Sequence, residues 1–425
     1  MLPNASTDGY AATNFPLVGD MHCGYQATLA GLILSINAGS SSLKYALYEA
    51  GAEERPVLSA AVSGLTGRPV LTIKRGDTAE VPEELSTEAM AATDALGLVL
   101  ARLAADGLLS AVCAVGHRIV HGGTHYVSPT RLDSEVLTDL RQLSPLAPVH
   151  QDVNLDCAEL AMAAVTPAIH VGCFDTAFHS DQPRLARLYA LPRDLTAQGL
   201  QSYGFHGLSF ASVSGRLEGL IGERARGRVV VAHLGSGASL CAIYEGRSIA
   251  TTMGLTPLDG LPMSTRSGAL DPGLVLHLIL DRGMAPEDVR ELLLHRSGLL
   301  GVSGLSGDMR ELLASGASDA KEAVELFVYR AGRAIGSLVA ALGGLDVLVF
   351  TAGIGENAPE IRRRVCEAAT WLGVRLDEPR NAGGDLVISS PDSEVQVLVV
   401  PTDEQATIVE LTRRHLLRGV APDQG

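Results

Sequence analysis

Two arginines and a group of histidines are the residues of this chain best suited to binding anions. Arg118 lies in GHRIVHGG and Arg266 lies in PMSTRSGALDPG, where glycines and other small residues let a ligand come close. A guanidinium binds a phosphate or a carboxylate through two parallel hydrogen bonds. Several histidines, including His150, His206 and His233, lie in loops or beside glycine-rich turns. They favour a site for phosphate oxygens over a zinc site, because no pair has ligand spacing on one element.

Three oxygen-bearing side chains stand at the ends of predicted strands. Asp175 follows a buried-looking strand in CFDTAFH, so its carboxylate is expected to point into a crevice of an α/β fold. Asn37 and Glu404 could hold Mg²⁺ directly or through water. From the residues alone, Asn37 could equally form a turn, and Glu404 could equally favour the N-terminus of a helix.

A short pattern that occurs twice indicates how these side chains are positioned. LILSINAGSSSLKYALYE (32–49) and VVVAHLGSGASLCAIYE (229–245) align without a gap when Gly39 is placed on Gly235. Each reads as an apolar strand, a Gly/Ser turn and a second strand, and such a turn presents N–H groups and hydroxyls to phosphate. The repeat therefore predicts a duplicated nucleotide-binding fold with phosphate held between its halves.

The two copies of the pattern carry different side chains. Residues 37–44 keep an amide, hydroxyls and an ammonium group, which predicts the phosphoryl and metal side. Residues 235–237 carry fewer side-chain donors, which predicts a backbone cradle for the nucleotide. A third segment, TAGIGENAPE, places Gly353 and Gly355 at a predicted helix start that offers N–H groups to an anion. The alternative for this segment is a tight structural turn.

Strands alternate with helices along most of the chain, which predicts two α/β domains that face a cleft. The patterns predict strands at 32–37, 43–49, 56–61, 69–74, 112–116, 167–172, 346–351 and 395–400, and helices at 88–108, 153–164 and 319–342. We expect a disordered extension at 1–30, an N-terminal domain at 31–178, a C-terminal nucleotide-binding domain at 179–404, and a helix at 405–420 that packs back on the first domain. Residues 402–405 have the pattern of a capping box at the start of that helix. The P-loop and Rossmann patterns are both missing from the sequence.

Composition disfavours several classes of protein. The net charge of −15 argues against a nucleic-acid partner. The six cysteines show neither C-x-x-C nor metal spacing and read as reduced thiols of a cytosolic protein. No uncharged apolar run reaches membrane-spanning length, and residues 1–30 lack the features of a signal peptide. We therefore expect a cytoplasmic protein with no membrane segment.

Taken together, ten segments of the sequence resemble the acetate kinase (acetokinase) family, which includes propionate and butyrate kinases. They are SINAGSSSLKYALYE, GHRIVHGG, APVH, FDTAFH, YGFHG, HLGSGAS, TTMGLTPLDGLPMSTRSGALDPG, GVSGLSGDMR, FTAGIGENAPEIRRRV and PTDE. The resemblance implies two duplicated, ribonuclease H-like α/β domains of the actin-like and sugar-kinase type, which flank a central nucleotide cleft. It also implies a homodimer formed through the C-terminal domain.

The resemblance implies roles for the residues at matching positions. Those assigned to catalysis are Arg118, Arg266, Asp175, His206 and His150. The pocket for a short acyl chain would be lined by Arg118, Val120, Val149, Phe205 and Pro257. The nucleotide would meet Ser40, Ser42, Lys44, His233, Leu234, Gly235, Ser236, Gly237, Asp308, Met309, Arg310, Gly353, Ile354, Gly355, Glu356 and Asn357. Mg²⁺, with Mn²⁺ as an alternative, would bind near Asn37 and Glu404. Departures from the family pattern include Ser236, Gln151-Asp152, Met309 and Gln405.

The activity that the resemblance implies is ATP-dependent phosphorylation of acetate to acetyl phosphate, by in-line transfer to a carboxylate. A carboxylate is already ionised at neutral pH, so the reaction needs no general base. Propionate or another short acyl acid is an alternative acceptor. A sugar or polyol kinase, with Asp175 as general base, is a second alternative, although paired arginines favour a carboxylate. A non-catalytic ATP-binding protein of the actin-like class is the third.

Overall fold

The computed structural model of the chain describes residues 30–39, 41–51 and 55–420. Apart from residue 30, the predicted N-terminal extension lies outside the described residues, and so does the predicted phosphate-binding Ser40. Within the described ranges, no helix has both the length and the apolar character needed to cross a membrane. The five cysteines in these ranges are free thiols.

The strands form two sheets. The first sheet contains β1 (Leu32–Ala38), β2 (Ser42–Glu49), β3 (Leu58–Ser63), β4 (Val70–Arg75), β5 (Thr78–Ala79), β6 (Glu83–Glu84), β7 (Val112–Ile119), β8 (Thr130–Arg131) and β9 (Ile169–Phe174). The second contains β10 (Arg228–Leu234), β11 (Ala238–Tyr244), β12 (Arg247–Thr251), β13 (Val347–Thr351) and β14 (Gln396–Val399).

Both sheets repeat one topology. The strand order is β5-β4-β3-β2-β1-β7-β9-β8 in the first, with β6 beside β4, and β12-β11-β10-β13-β14 in the second. Each has an antiparallel hairpin, β1–β2 or β10–β11, whose first strand also pairs in parallel with a later strand, β7 or β13. A further parallel strand follows, β9 or β14. The predicted duplicated α/β fold is therefore confirmed.

The turns of the two hairpins differ in length. β1 and β2 pair Asn37 with Lys44. β10 and β11 pair His233 with Ser239, because their turn is one residue shorter. The ungapped alignment of the repeat sets Leu240 at the position of Lys44, and it is therefore wrong beyond the turn.

Helices cover the sheets and connect their parallel strands. They are α1 (Ala92–Ala105), α2 (Ser134–Arg141), α3 (Gln151–Ala164), α4 (Arg184–Arg187), α5 (Arg193–Ala197), α6 (Gly207–Ile221), α7 (Pro272–Leu276), α8 (Pro286–His295), α9 (Gly298–Ser303), α10 (Met309–Ala314), α11 (Ser318–Leu342), α12 (Ala352–Asn357), α13 (Pro359–Ala368), α14 (Glu378–Gly383) and α15 (Glu404–Val420). The first sheet packs on α1 and α3 through Leu34, Leu96 and Cys157. The second packs on α11 through Val230 and Phe327.

The terminal helix α15 lies against the first sheet. Thr412 and Ile408 of α15 come so close to Gly116 of β7 that no side chain fits at Gly116. The predicted capping box is wrong by one residue. The helix begins at Glu404, and the side chain of Asp403, not that of Thr402, caps it by accepting the N–H of Ala406 at 2.9 Å. This start of the helix places Glu404 at the carboxyl ends of the central strands of the first sheet.

Candidate active site

Four predicted site residues form a chain of contacts at the carboxyl ends of β1, β7 and β9. The Nη2 atom of Arg118 lies 2.7 Å from Oδ2 of Asp175, and its Nε lies 3.2 Å from each carboxylate oxygen. Nη1 of Arg118 donates to Oδ1 of Asn37 at 3.1 Å, and Nδ2 of Asn37 donates to Oε2 of Glu404 at 2.7 Å. The carboxyl ends of parallel strands share one edge of a sheet, which is why residues far apart in the sequence meet here.

Burial and charge control ionisation in this chain. Burial raises the pKa of Asp175, against the opposing effect of Arg118. Burial acts to lower the pKa of Arg118, but Asp175 and Glu404 outweigh it, so the pKa is raised. Burial acts to raise the pKa of Glu404, but Arg118 and the other positive groups nearby bring it below its ordinary value. Arg118 is therefore a fixed cation, and Glu404 a carboxylate, at neutral pH.

His206 and His233 stack on each other where the second sheet meets α6. Their ring centroids are 4.2 Å apart, with 20° between the ring planes. Nδ1 of His206 lies 2.8 Å from the hydroxyl of Ser239, and Nδ1 of His233 lies 2.8 Å from the hydroxyl of Ser209. Burial is the main cause that lowers both pKa values, to about 4 for His233 and well below 6.5 for His206. Both imidazoles are neutral at neutral pH.

The backbone fixes the position of His206. This residue precedes α6 in the left-handed conformation, with φ of 57°. The N–H of Gly207 donates to the carbonyl of Asp175 at 3.0 Å, and a side chain at 207 would collide with that oxygen. On the other side, a Cβ atom at Gly237 would lie 3.0 Å from Nε2 of His206. Two close approaches to glycine thus hold the imidazole between Asp175 and the turn of the second hairpin.

Arg266 and His150 form a second cationic position. Nη2 of Arg266 lies 2.6 Å from Nε2 of His150, and Nη1 donates to the carbonyl of Pro257 at 3.1 Å. Burial and then the charge of Arg118 lower the pKa of Arg266 to about 10, so it remains protonated at neutral pH. Burial, Arg266 and Arg118 hold the pKa of His150 well below 6.5, so Nε2 of His150 is an acceptor for the guanidinium.

The residues predicted to hold the acyl chain lie next to these charged groups. Val120 and Phe205 are 2% and 1% exposed, and they belong to one apolar cluster. Val120 follows Arg118 by two positions and Phe205 directly precedes His206. Val149 is half-buried and Pro257 contacts Arg266 through its carbonyl group. The arrangement combines apolar side chains with two guanidinium groups.

The turn of the second hairpin, residues 235–237, lies beside the start of α12. A Cβ atom at Gly235 would be 3.5 Å from Cβ of Ala352. The carboxylate of Glu356, predicted to complete the nucleotide pocket, accepts the N–H groups of Ala352 and Thr402, at 2.8 and 3.1 Å. Glu356 therefore joins the turn after β13 to the segment before α15. Ile354 is half-buried, and Leu234 is buried in the core.

The predicted adenosine residues lie at the start of α10. Asp308 accepts the N–H of Arg310 at 2.8 Å and pairs with its guanidinium at 2.6 Å. Met309 is 3% exposed and belongs to the core, so its side chain faces away from solvent. Lys44 is exposed opposite Asn37, and Ser42 accepts the N–H of Gly39 through its carbonyl group at 2.8 Å.

Sequence reasoning missed two buried amides that support the site. Oδ1 of Asn154 accepts the N–H of Val120 at 3.1 Å, and its Nδ2 donates to the carbonyl of Ala38 at 2.7 Å. Gln151 accepts the N–H of His121 and donates to the carbonyl of the same residue, both at 3.0 Å. The clue in the sequence is their shared place in the first turn of α3, directly after His150.

A buried arginine was also missed. Arg362 is 1% exposed, and its guanidinium donates to the carbonyls of Gly355, Glu356 and Asn381 and to the side chain of Asn381. It closes the carboxyl end of α12, because it satisfies carbonyl groups that a helix terminus leaves free.

Known proteins are similar to this chain over most of its length. A model of the Acetokinase family matches residues 32–410. The acetate kinase of Rhodopseudomonas palustris (strain TIE-1) is 48% identical over 397 residues, which are 92% of this chain and 98% of that protein. A solved propionate kinase from Francisella tularensis is 32% identical with a TM-score of 0.83, over 90% of this chain and 99% of that one. Porphyromonas gingivalis acetate kinase is 36% identical with a TM-score of 0.79, over 91% and 100%. The chain therefore belongs to the acetokinase family.

Proposed function

We propose that this chain catalyses the reversible transfer of the γ-phosphoryl group of ATP to acetate, which gives acetyl phosphate and ADP. The observation that carries the proposal is the environment of Arg266. Its guanidinium contacts a carbonyl group and an imidazole, and no carboxylate pairs with it in the part of the chain that the structure describes. A buried cation without a counter-ion is costly, so the site is suited to an anionic ligand. Apolar Val120 and Phe205 nearby suit a small acyl group.

The chemistry needs positive charge more than it needs a base. Acetate enters as an anion and attacks an anionic phosphoryl group, so the main barrier is repulsion between the two. Arg118 and Arg266 are the fixed cations that offset it, and His206 adds a neutral donor at Nε2. Asp175 holds Arg118 in a buried ion pair, and His150 holds Arg266.

The alternative of a sugar or polyol kinase requires a free carboxylate as general base. Both oxygens of Asp175 already contact the guanidinium of Arg118. If Asp175 took a proton from a hydroxyl group, the buried guanidinium of Arg118 would lose its counter-ion, which is costly even though burial raises the pKa of Asp175. The observation favours a carboxylate acceptor, which brings no proton to remove.

The residues around Glu404 fit a divalent metal that binds together with the nucleotide. Among the described residues, no cluster of three or more carboxylate, histidine or cysteine ligands is present. Mg²⁺ is commonly held by one or two carboxylates, water and substrate phosphates. Glu404, ionised and beside Asn37, would supply the carboxylate, and Mn²⁺ is the alternative ion. The bound ion would neutralise charge on the phosphates of ATP.

ATP is proposed to lie along the turn of the second hairpin, residues 235–237, and the start of α12. Ser236 in the turn and Gly353 in α12 are exposed, and Gly353 has open space where a side chain would stand. Acetate is preferred over propionate in this proposal, because the more similar relatives are named acetate kinases. Propionate stays the alternative, since a solved neighbour is a propionate kinase.

We also propose a cytoplasmic homodimer. Leu274, Leu276 and Leu280 are 43%, 57% and 73% exposed, which favours a subunit contact in the second half of the chain. ATP as a substrate and the free cysteines are consistent with the cytoplasm. Light scattering of the purified protein tests the dimer.

A hydroxamate assay for acyl phosphate tests the activity. The protein is incubated with ATP, Mg²⁺ and acetate, propionate or butyrate in parallel. We expect hydroxamate with acetate, and none when the metal is chelated. A sugar kinase would consume ATP only with a sugar, and a non-catalytic ATP-binding protein would give neither signal. Absence of acyl phosphate with all three acids would overturn the proposal.

A further inference from the structure

The stacked histidines are braced by two serines in a crossed arrangement. His206 precedes α6 and contacts Ser239 on β11, whereas His233 on β10 contacts Ser209 in the first turn of α6. Both Nδ1–Oγ distances are 2.8 Å, and both serines are 0% exposed. These two hydrogen bonds and the ring stack connect the second hairpin to α6.

The direction of the hydrogen bond between Ser239 and Nδ1 determines what Nε2 of His206 can do. A neutral imidazole carries one proton, so one ring nitrogen donates and the other accepts. If Ser239 donates to Nδ1, the proton of His206 is on Nε2, next to Gly237. If Nδ1 donates to Ser239, Nε2 presents a lone pair, which repels the oxygens of a phosphoryl group. The position of this proton therefore determines whether His206 attracts or repels the oxygens of a phosphoryl group.

The surroundings of His206 leave this choice to Ser239. In the described part of the chain, the Ser239 hydroxyl is the group within hydrogen-bond distance of Nδ1. Protonation of both nitrogens is disfavoured, because burial and then His233, Arg118 and Arg266 lower the pKa of His206. The stack on His233 fixes the plane of the ring, and the hydrogen bond with Ser239 places Nδ1 rather than Cδ2 on the side of that hydroxyl.

We propose that Ser239 is a positioning residue that donates to Nδ1 of His206 and so fixes the tautomer whose Nε2–H faces the transferring phosphoryl group. The proposal rests on the proposed kinase function, because the phosphoryl group is what Nε2–H serves. Ser209 makes the same contact to His233, which offers a control of the same chemistry one ring away.

Nitrogen-15 NMR of the histidine-labelled, full-length protein tests the tautomer without any substrate. Protonated and unprotonated ring nitrogens have well-separated shifts, and a His206→Gln spectrum assigns the signals. We expect Nδ1 of His206 to be unprotonated in the wild type, and a tautomer mixture in Ser239→Ala. A protonated Nδ1 in the wild type, or an unchanged signal in Ser239→Ala, would overturn the proposal.

Kinetics then separate positioning from packing. Ser239→Ala is expected to lower kcat on the order of tenfold, which is the value of one neutral hydrogen bond, with KM for ATP and acetate nearly unchanged. Ser239→Thr keeps the hydroxyl and should restore most of kcat. Ser209→Ala should leave the Nδ1 signal of His206 in place. A Ser209→Ala effect on that signal equal to the Ser239→Ala effect would show general loosening and refute the role. Lack of acyl phosphate in the wild type would overturn the kinase function alone, since the NMR result stands by itself.

Discussion

The two hairpins have one topology but different chemistry. Asn37 of the first hairpin joins a network with full charges, in which Arg118, Asp175 and Glu404 take part. His233 and Ser239 of the second hairpin join a neutral network of imidazoles and hydroxyls. The network of the first hairpin thus contains fixed charges, which the proposed metal and phosphoryl contacts would use. The network of the second hairpin contains hydrogen bonds between neutral groups.

The difference depends on one residue in a turn. Because side chains alternate along a strand, a shift of one residue in pairing exchanges the residues that face the site. The shorter second turn sets Ser239, rather than Leu240, opposite His233. The backbone cradle predicted at residues 235–237 stays a prediction, whereas the ungapped alignment hid the pairing of His233 with Ser239 on the flanking strands. The structural counterparts of Asn37 and Lys44 are a histidine and a serine.

The largest effect is expected in the charged network of the first hairpin. Arg118→Ala should lower kcat/KM by about 100- to 1000-fold, or ~3–4 kcal/mol of transition-state stabilisation. The cause is the loss of a fixed cation at the phosphoryl group. The rate of hydroxamate formation measures it, with thermal melting to confirm folding, since Asp175 loses its partner.

Arg75→Ala is the control for the loss of an arginine. Arg75 lies on the same sheet and pairs with Glu80 and Asp106 at the surface, with 42% of its side chain exposed. We expect its activity to stay within about twofold of the wild type, because exposed ion pairs contribute little. Near-normal turnover in folded Arg118→Ala would contradict the charged role of the first side.

Glu404→Gln should show that the metal requirement of the enzyme depends on the network of the first hairpin. The half-saturating Mg²⁺ concentration is expected to rise by about 10- to 100-fold, because the carboxylate that would hold the ion is neutralised. The titration follows activity against Mg²⁺, and binding of Mn²⁺ by electron paramagnetic resonance gives a readout that does not need turnover. His233→Gln, on the neutral side, should leave the metal requirement in place. Equal shifts in both variants would remove the distinction between the two sides.

Much of the fold was predictable because it is written in local patterns. Apolar runs and glycine turns located both hairpins, and helix α11 was placed to within one residue at its start. Local patterns placed Asp175 and Asn37 at strand ends, and the shared edge of parallel strands explains why both contact Arg118. Local patterns cannot show which residues meet across long separations.

The residues that support the site show what local sequence patterns cannot predict. Asn154 contacts Ala38 across 116 positions, and nothing near either residue indicates the contact. Arg362 lies in the run IRRRV, which resembles a solvated face, yet Arg362 is buried while the next two arginines pair with Glu360 at the surface. The contact of Ser239 with His206 depends on the register of β10 and β11, which the length of their turn sets. Each of these is a tertiary effect.

Two glycine substitutions should distinguish a segment that acts on the transferring phosphoryl group from a segment that binds the rest of the nucleotide. A Cβ atom at Gly237 would press on Nε2 of His206, so Gly237→Ala should lower kcat about tenfold by displacing the ring. Gly353 has nothing within 4 Å of its Cβ position, so Gly353→Ala should instead raise KM for ATP several-fold if the nucleotide occupies that space. Initial rates over a matrix of ATP and acetate concentrations separate the two constants.

Gly97→Ala on α1 is the matched control, since its Cβ position is also open. It should leave both constants unchanged. If Gly353→Ala behaves like Gly97→Ala, the nucleotide does not lie beside α12, and the proposed division of the second side fails.

A smaller effect is expected at Val120, in the predicted pocket for the acyl chain. Val120→Ala should improve kcat/KM for propionate relative to acetate by about tenfold, because one methylene in an apolar pocket is worth about 1–3 kcal/mol. Val115→Ala is the control, since Val115 is a buried valine on β7, the strand that Val120 directly follows, and belongs to a different apolar cluster. Its acetate-to-propionate ratio should match the wild type. An unchanged ratio in Val120→Ala would exclude Val120 from the acyl pocket.

The smallest effect concerns pH, and it tests whether the second side is neutral. A histidine with a lowered pKa gains its proton only at acidic pH, so it is uncharged throughout the neutral range. The pKa is about 4 for His233 and lies well below 6.5 for His206 and His150. The logarithm of kcat should therefore stay flat from about pH 6 to pH 8 at saturating Mg²⁺ and substrates. A bend near pH 6.5 that disappears in His206→Gln would show that His206 acts as an imidazolium, and both sides of the site would then work by charge.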